Sequence, residues 1–358
     1  MFYLLVLFVA LNQVALRIQN KMQLIIGLEG LSLTQKDIAR ISSPKVAGVI
    51  LFARNYQSPD QLKEYTQSIR NLRPDIFIST DHEGGRVQRF KKFFTPLPAP
   101  KLLLKHYRIN PSQALAFAEC TGLIIGLELQ LHGVDFSYGP LLDLDFGLSH
   151  IIGDRSFGQL PHEVIALAGA VMRGMQSVGM PTIGKHFPGH GGIEADTHTH
   201  QALDNRSFSY LWEADIIPFK QLIKFGLKGI MPAHIIYPQI DSLPAGFSKI
   251  WLQEILRGQL NFKGAIISDA LEMIGATVVG DLYQQLRLAA DAGCDFVLLC
   301  NDDDAIDAAI KWEESIFTPS FSALHGKYAK EFNSIPENLL QSLELARQRI
   351  AQISLLPS

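Results

Sequence analysis

The feature that most constrains the fold is a regular alternation between short apolar runs and longer amphipathic stretches, which begins near residue 23. Near-continuous apolar runs are typical of parallel strands that are covered on both faces. The sequence predicts eight such strands: Gln23–Leu28, Gly48–Ala53, Ile76–Thr80, Val134–Gly139, Thr182–Lys185, Gly229–Ala233, Ala265–Ser268 and Phe296–Cys300.

Helical patterns separate these runs, and glycines stand where several of the helices should end. Gly133, Gly179 and Gly226 occupy positions at which a left-handed residue commonly terminates a helix. A last helix, Leu339–Ile353, should pack outside the sheet. The other predicted helices are Gln35–Ile41, Asp60–Leu72, Pro111–His132, His162–Val178, Tyr210–Phe225, Lys249–Leu256 and Leu282–Ala292.

Polar residues follow strand after strand at the carboxyl end, and this placement favours one fold over its main alternative. In a (β/α)8 barrel these positions converge on one mouth, whereas an open doubly wound sheet would spread them along an edge. The sequence therefore predicts an α/β fold, a single-domain (β/α)8 TIM barrel. The polar positions are Arg54-Asn55, Asp81-His82-Glu83, Asp143-Leu144-Asp145, Lys185-His186, His234 and Asp269.

Charge and cysteine content exclude several classes of protein. The 358 residues carry a net charge of -3, which provides no basic field for nucleic acid. The three cysteines lie in apolar runs without a CxxC pair, which indicates buried thiols in a reducing compartment. We therefore expect a cytoplasmic protein that acts without nucleic acid and without a membrane, and a monomer.

The first 21 residues form an apolar extension that stands apart from the predicted barrel domain at 22–358. Residues 1–16 lack the basic start and the cleavage site of a secretory signal, and polar Asn12 and Gln13 leave too short an apolar run to cross a bilayer. Three interpretations stay open: translation that starts at Met22, an extra packed helix, and a membrane anchor. No later segment indicates a transmembrane helix.

The densest cluster of chemically active residues is the segment KHFPGHGGIEADTHTH, residues 185–200, which holds four of the eleven histidines. The glycines and the proline in this segment indicate that a strand ends here and is followed by a polar loop. Asp196 can hold one ring nitrogen of His198, and histidine is a suitable proton shuttle near neutral pH. Asp269 follows an apolar strand, where a carboxylate serves as nucleophile, metal ligand or structural acceptor. A capping aspartate beside a solvated histidine is the structural alternative for the loop pair.

Charged residues at the ends of other predicted strands are candidate sugar or anion contacts. Asp81, Arg86 and Arg89 follow the third strand, Arg155 follows the fourth, and Lys185 and His186 end the fifth. Charge-assisted hydrogen bonds from such groups can hold a polyhydroxylated ring. A structural ring of ion pairs is the alternative interpretation of the same residues.

These motifs together resemble one enzyme family. The 185–200 segment is similar to the K-H-F-P-G-H-G-x4-D-[ST]-H signature of family 3 glycoside hydrolases, and in particular of the single-domain bacterial β-N-acetylhexosaminidases of the NagZ type. GVILFARNY, DHEGGRVQRF, GDRSFG, MPAHIIYP and ISDALEM occur in the order of that family, over about residues 23 to 310. The chain departs from the family pattern at His82, where glutamine is more usual, and at Ala270, where a second acid is often seen.

The resemblance implies a role for each matching residue. Asp269 would be the nucleophile, and His198 the general acid/base, oriented by Asp196. The sugar would be bound by Asp81, Arg89, Arg155, Lys185 and His186. The family is a (β/α)8 barrel without a metal or an organic cofactor, and its members release N-acetylglucosamine from the non-reducing end of peptidoglycan fragments. The resemblance thus implies a retaining exo-β-N-acetylglucosaminidase that acts in cell-wall recycling.

Two other functions compete with this one. A metal-dependent barrel hydrolase is suggested by the pair His198 and His200 near His186, His190 and Asp269. A sugar-binding protein without catalysis is the second alternative, although the complete set of Asp196, His198 and Asp269 argues against it. Metal analysis and a turnover assay separate the three.

Overall fold

The computed structural model describes residues 22–193, 202–312, 322–331 and 334–353. Its centre is a sheet of eight parallel strands, and a two-stranded antiparallel hairpin is inserted after the third. Each of the eight predicted strands is confirmed, with shifts of a few residues at the ends. The strands are β1 (Gln23–Gly27), β2 (Val46–Leu51), β3 (Phe77–Thr80), β4 (His82–Gly84), β5 (Val87–Gln88), β6 (Phe136–Ser137), β7 (Ile183–Phe187), β8 (Gly229–Pro232), β9 (Ala265–Ala270) and β10 (Phe296–Leu299).

Closure of the sheet distinguishes a barrel from the doubly wound alternative. The strand order is β6-β3-β2-β1-β10-β9-β8-β7, so β6 and β7 are its two ends. Backbone hydrogen bonds join those ends: the Ile183 amide donates to the Gly139 carbonyl at 2.7 Å, and the Leu142 amide donates to the Lys185 carbonyl at 2.6 Å. The sheet therefore closes on itself, and the predicted (β/α)8 barrel is confirmed.

Aromatic rings fill the amino-terminal half of the barrel interior. The Phe77 ring lies 5.4 Å from the Phe296 ring and 5.5 Å from the Phe136 ring, centroid to centroid. Gly48 on β2 makes room for Phe77, because a Cβ atom at position 48 would lie 2.0 Å from the ring. The amino-terminal half of the interior is thus filled by side chains, and the polar residues that follow the strands lie at the opposite, carboxyl-terminal mouth.

Helices surround the barrel, and the glycine ends predicted at Gly133, Gly179 and Gly226 are confirmed by φ values of 79°, 70° and 96°. Three helices were not predicted, at Pro100–Ile109, Ile274–Thr277 and Asp303–Lys311, and Ile250–Gln259 is wound as a π-helix. The α-helices are α1 (Gln35–Ile41), α2 (Pro59–Leu72), α3 (Pro100–Ile109), α4 (Pro111–Gln130), α5 (Pro161–Ser177), α6 (Phe208–Glu213), α7 (Ile216–Lys224), α8 (Ile274–Thr277), α9 (Leu282–Ala292), α10 (Asp303–Lys311) and α11 (Glu337–Ile353).

The single helix predicted at Tyr210–Phe225 is wrong, because the chain breaks into α6 and α7 at Ala214. Pro218 has no amide hydrogen with which to bond the Ala214 carbonyl, and its ring would collide with that carbonyl in a continuous helix. Ala214 takes φ -125° and ψ -83°, outside the helical region. Pro218 then falls in the first turn of α7, where a proline is tolerated.

Helix α4 is the one helix in the described part of the chain that is long and apolar enough to cross a membrane, judged by length and composition alone. In the fold 67% of its apolar window is buried. It packs closely on α5, since a Cβ atom at Gly122 would lie 1.9 Å from the Val171 carbonyl oxygen and one at Gly174 2.1 Å from that of Glu119. Its apolar composition is therefore explained by this packing. Residues 1–21 lie outside the described residues, so the boundary at residue 22 stays a prediction.

Candidate active site

A cavity of about 260 Å³ opens at the carboxyl-terminal mouth of the barrel. Its walls come from the ends of β2, β3, β6, β7, β9 and β10 and from the loops that follow them. Six of the candidate site residues line it: Asp81, Arg89, Arg155, Lys185, His186 and Asp269. Residues from four separate parts of the sequence therefore meet in one place, as the barrel prediction required.

The hairpin formed by β4 and β5 returns Arg89 to the carboxylate that precedes it. Gly84 and Gly85 adopt φ values of 109° and 55°, which side chains other than glycine rarely adopt, so the chain can reverse within two residues. The Arg89 Nη2 atom donates to Asp81 Oδ2 at 2.9 Å. The guanidinium of Arg89 also lies 5.5 Å from the centroid of the Phe52 ring, another residue of the cavity wall.

Asp81, Lys185 and Arg155 form a polar wall of the cavity, and the buried Glu83 carboxylate lies behind it. The Lys185 ammonium donates to Asp81 Oδ1 at 2.9 Å and lies 2.7 Å from Glu83 Oε1. Arg155 donates two hydrogen bonds to Glu83, from Nε to Oε2 at 2.9 Å and from Nη2 to Oε1 at 2.8 Å. With Arg89, the wall and Glu83 together hold three cations and two carboxylates.

The charges in this wall stabilise one another. Burial opposes ionisation of Asp81, but the positive charges of Lys185 and Arg89 hold its pKa well below the usual range. Burial also opposes ionisation of Glu83, and Arg155 and Lys185 lower the pKa of that carboxyl to about 2. The pKa of Lys185 is raised despite burial, because Asp81 and Glu83 face its ammonium. The wall is therefore fully ionised at neutral pH and presents charge-assisted donors to the cavity.

Asp143 fixes the histidine at the end of β7. His186 Nδ1 lies 2.7 Å from Asp143 Oδ2, and the backbone amides of His186 and His190 donate to Asp143 Oδ1 at 3.1 and 2.8 Å. The register between β7 and β8 shifts between Lys185 and Phe187. Such a bulge re-aims side chains, which is consistent with both Lys185 and His186 lining the cavity.

Asp269 lines the cavity, and its strand lies four strands around the barrel from β3. It belongs to β9, which runs two residues further than predicted, and its side chain is half-buried. Asp269 Oδ1 accepts a hydrogen bond from the Ala270 amide at 2.8 Å. Glu272 and Met273 continue the wall on this side, and Glu272 Oε1 accepts hydrogen bonds from the Cys300 and Asn301 amides at 2.6 and 2.8 Å. A carboxylate is thus placed beside a pocket lined with hydrogen-bond donors.

Three candidates from the sequence fall outside this arrangement. Arg86 does not line the cavity: its Nε pairs with Asp154 Oδ1 at 2.7 Å and it donates to the His150 carbonyl at 3.0 Å, at a half-exposed position. These two contacts lie outside the cavity, and the role of Arg86 as a sugar contact stays a prediction. Asp196 and His198 lie outside the described residues.

The family is settled by comparison with known proteins. The N-terminal domain of glycosyl hydrolase family 3 matches residues 16–316. The chain belongs to glycosyl hydrolase family 3. Within the family, it is similar to the β-hexosaminidase of Methylobacillus flagellatus, with 49% identity over 294 residues that cover 81% of this chain and 84% of the relative. The β-hexosaminidase of Nitrosomonas eutropha is 44% identical over 92% of this chain and 98% of its own.

Solved structures support the same grouping. NagZ from Neisseria gonorrhoeae, in complex with N-trifluoroacetyl-D-glucosamine, superposes with a TM-score of 0.83 at 36% identity, over 92% of this chain and 98% of that one. The predicted enzyme class is confirmed: this family 3 protein is a glycoside hydrolase of the β-hexosaminidase group. The single-domain barrel prediction agrees with the near-complete overlap with NagZ.

Sequence reasoning gave no role in sugar binding or glycoside hydrolysis to several residues that shape the site of this family 3 hydrolase. Glu83, Asp143, His190 and Glu272 all contact or line the cavity walls. The motif DHEGG contained a signal for Glu83, since residues two apart on a strand share a face and Asp81 was already a candidate. Within the described ranges, no group of three or more His, Cys, Asp or Glu side chains is arranged to hold a metal ion. The metal alternative now depends on His198 and His200, outside those ranges.

Proposed function

We propose that this protein is a retaining exo-β-N-acetylglucosaminidase, with Asp269 as the nucleophile. One observation carries the proposal: the Asp269 side chain and the charged residues Asp81, Arg89, Arg155 and Lys185 line the same cavity at the barrel mouth. A sugar held by those donors and acceptors would lie within reach of the Asp269 carboxylate. Hydrogen bonds to charged groups are worth roughly 1.5–3 kcal/mol each, enough to orient a single sugar ring.

The reaction that follows from these groups has two steps. In the first, the Asp269 carboxylate attacks the anomeric carbon while an acid protonates the leaving oxygen, which forms a glycosyl ester. In the second step, the conjugate base of that acid deprotonates a water molecule, which hydrolyses the ester. We assign the acid/base role to His198, oriented by Asp196, by their match to the family signature. Because neutral imidazole remains after proton transfer, the site does not gain a second negative charge beside Asp269.

The substrate we propose is a peptidoglycan fragment, GlcNAc-1,6-anhydro-MurNAc with or without its peptide. Support comes from the chain's 36% identity with NagZ over nearly the full length of both proteins, and from the NagZ complex with an N-acylated glucosamine. We propose that the enzyme works in cell-wall recycling in the cytoplasm, as a monomer without a cofactor. The three cysteines, none of them in a disulfide, agree with a reducing compartment.

The nucleophile assignment is tested by trapping the covalent intermediate. A 2-acetamido-2-deoxy-5-fluoro glycosyl inhibitor slows both steps and should accumulate as an ester on the enzyme. Peptide mass spectrometry should locate the added mass on Asp269. A label on another carboxylate, such as Glu272 on the same wall of the cavity, would reject Asp269 as the nucleophile while leaving a retaining mechanism in place.

The sugar site is tested independently of turnover. N-trifluoroacetyl-D-glucosamine carries a fluorine reporter, so its fluorine NMR signal should shift and broaden on titration with this protein, and N-acetylglucosamine should reverse the effect. Binding without turnover of an aryl β-N-acetylglucosaminide would favour the binding-protein alternative. Turnover that is lost in a chelator and restored by zinc would favour the metal alternative.

A further inference from the structure

Glu83 is the buried anchor that holds two of the sugar-facing cations in place. Its side chain is 4% exposed and receives three contacts, two from Arg155 and one from Lys185. Both cations line the cavity, whereas Glu83 is not among its lining residues. We infer that Glu83 is a positioning residue for sugar binding, acting through Arg155 and Lys185 rather than by touching the sugar. The inference rests on the proposed function of the cavity.

The geometry shows why one carboxylate can set the direction of two cations. A guanidinium bonded through Nε and Nη2 to both oxygens of a carboxylate is fixed in its plane, because the two parallel bonds leave no rotation. In Arg155 these bonds are 2.9 and 2.8 Å long, and Nη1 donates to the Ile151 carbonyl at 3.2 Å. The remaining hydrogens on Nη1 and Nη2 are thereby given fixed directions.

Lys185 is held in the same way by two carboxylates. Its ammonium has three hydrogens, and the contacts at 2.9 Å to Asp81 and 2.7 Å to Glu83 use two of them. In the contacts that the described residues make, the third hydrogen of the ammonium is left for a ligand. A flexible lysine side chain loses much rotational entropy when it binds a ligand, and a lysine that is already fixed loses less. Because Glu83 already fixes the Lys185 side chain, less rotational entropy is lost when a sugar binds.

The decisive variant is Glu83→Gln, which keeps the size of the side chain and one acceptor oxygen but removes the charge. We expect the Kd for N-trifluoroacetyl-D-glucosamine, measured by the fluorine titration above, to rise about tenfold, and the KM for an aryl β-N-acetylglucosaminide to rise with it. The matched control is Glu128→Gln. Glu128 is also buried and paired with an arginine, Arg347 at 2.8 Å, but it does not line the cavity. Its Kd and KM should stay within twofold of the wild type.

A second measurement separates positioning from a general loss of structure. Burial and Arg155 lower the pKa of the Lys185 ammonium, whereas Asp81 and Glu83 raise it. When the Glu83 charge is removed, only Asp81 of these two carboxylates still raises that pKa, so the pKa should fall. The alkaline limit of sugar binding should therefore move to lower pH in Glu83→Gln and stay unchanged in Glu128→Gln. A loss of folding stability alone would not produce this shift.

Each outcome decides the inference. A folded Glu83→Gln protein with unchanged Kd and unchanged alkaline limit overturns it, while the wild-type titration still supports the sugar site. If Glu83→Gln does not fold, as judged by circular dichroism, Glu83→Asp takes its place; it keeps the charge but cannot reach both cations, and an unchanged Kd there overturns the inference equally. A wild-type protein that does not bind the fluorinated sugar counts against the sugar site itself, and so against both proposals.

Discussion

The two ends of the barrel each contain a buried ion pair, but only one of them faces a cavity. At the amino-terminal end, Asp135 accepts hydrogen bonds from Arg70 Nη2 at 2.8 Å and from the amides of Ile78 at 2.7 Å and Gly326 at 3.0 Å. At the carboxyl-terminal mouth, Lys185 and Arg155 retain hydrogens that their contacts with Asp81 and Glu83 do not use.

The difference between the two ends shows that buried charge alone does not indicate function. Arg70 donates to the Ile76 and Gly133 carbonyls as well as to Asp135, so this pair joins α2 to the chain just before β3 and β6, although the buried Arg70 Nε atom has no partner among the described residues. The charged group at the mouth is also largely shielded from solvent, but its cations line a cavity of about 260 Å³ and retain hydrogens that their contacts do not use. Incomplete satisfaction beside a cavity is the feature that separates a binding site from a structural ion pair.

The largest expected effect is at the mouth, from Asp269→Ala. Removal of a nucleophile that forms the covalent intermediate should lower kcat/KM for an aryl β-N-acetylglucosaminide by about 10⁴-fold or more. The free energy of unfolding should change little, because the Asp269 side chain is only half-buried at the cavity wall. Steady-state kinetics and a denaturant titration measure the two quantities. Activity within tenfold of the wild type would reject the assignment.

The opposite pattern is expected at the amino-terminal end, from Asp135→Asn. This change leaves the Arg70 charge buried without its carboxylate, which typically costs about 3–5 kcal/mol of unfolding free energy. The kcat/KM of the folded protein should stay within twofold, since Asp135 does not line the cavity. Urea denaturation and kinetics well below the melting temperature provide the test. A large loss of activity at unchanged stability would mean that the two ends are coupled and that the comparison is wrong.

The sequence predicted the eight strands well because parallel strands buried on both faces leave long apolar runs. The hairpin of β4 and β5 was missed since its residues are largely charged or polar, and its position depends on the ion pairs of Asp81 and Glu83 rather than on apolar periodicity. Helix α3 was missed because three consecutive leucines, residues 102–104, obscure the helical period. Local pattern therefore predicts elements that are stabilised by the apolar core, and fails where polar contacts or short length decide.

The sequence predicted several residues of the candidate site but not the contacts between them. Family motifs pointed to Asp81, Arg155 and Lys185, and the cavity brings them together. The contact between Arg155 and Glu83 joins residues 72 positions apart, and it exists only because the barrel places the ends of β3 and β6 side by side. No single-sequence pattern encodes that distance, so the motif DHEGG could mark Glu83 as a neighbour of Asp81 but not as the partner of Arg155.

A smaller effect, on pH dependence, is expected from His82→Gln. Burial, with a lesser contribution from Arg89, lowers the pKa of His82 to about 3, from an ordinary value of 6.5. Between those values the unfolded chain binds a proton that the folded protein does not, so His82 reduces stability as the pH falls from 6.5 toward 3. The wild type should lose about 2 kcal/mol from this residue between pH 7 and 5, at 1.36 kcal/mol for each pH unit below 6.5.

The measurement is the difference in unfolding free energy between pH 7 and 5 for the wild type and for His82→Gln. Other buried histidines, such as His190, stay in both proteins, so their contributions cancel in the comparison. The glutamine variant should show a flatter dependence, whatever its stability at pH 7. Parallel curves for the two proteins would show that His82 takes up its proton near the ordinary pKa in the folded state, and that the aromatic packing against Phe90 and Phe94 does not exclude it.

The smallest effect should come from Arg86→Ala, which tests the cavity as the boundary of the site. Arg86 carries the same charge as Arg89 and lies three residues away, but it pairs at the surface with Asp154, and both side chains are nearly half exposed. An exposed pair of this kind contributes about 1 kcal/mol or less to stability. The KM for an aryl β-N-acetylglucosaminide should stay within about twofold, whereas Arg89→Ala, at the cavity wall, should raise it clearly. Equal effects of the two substitutions on KM would mean that the binding site extends beyond the cavity walls. An arginine outside the cavity would then contribute as much to binding as one that lines it.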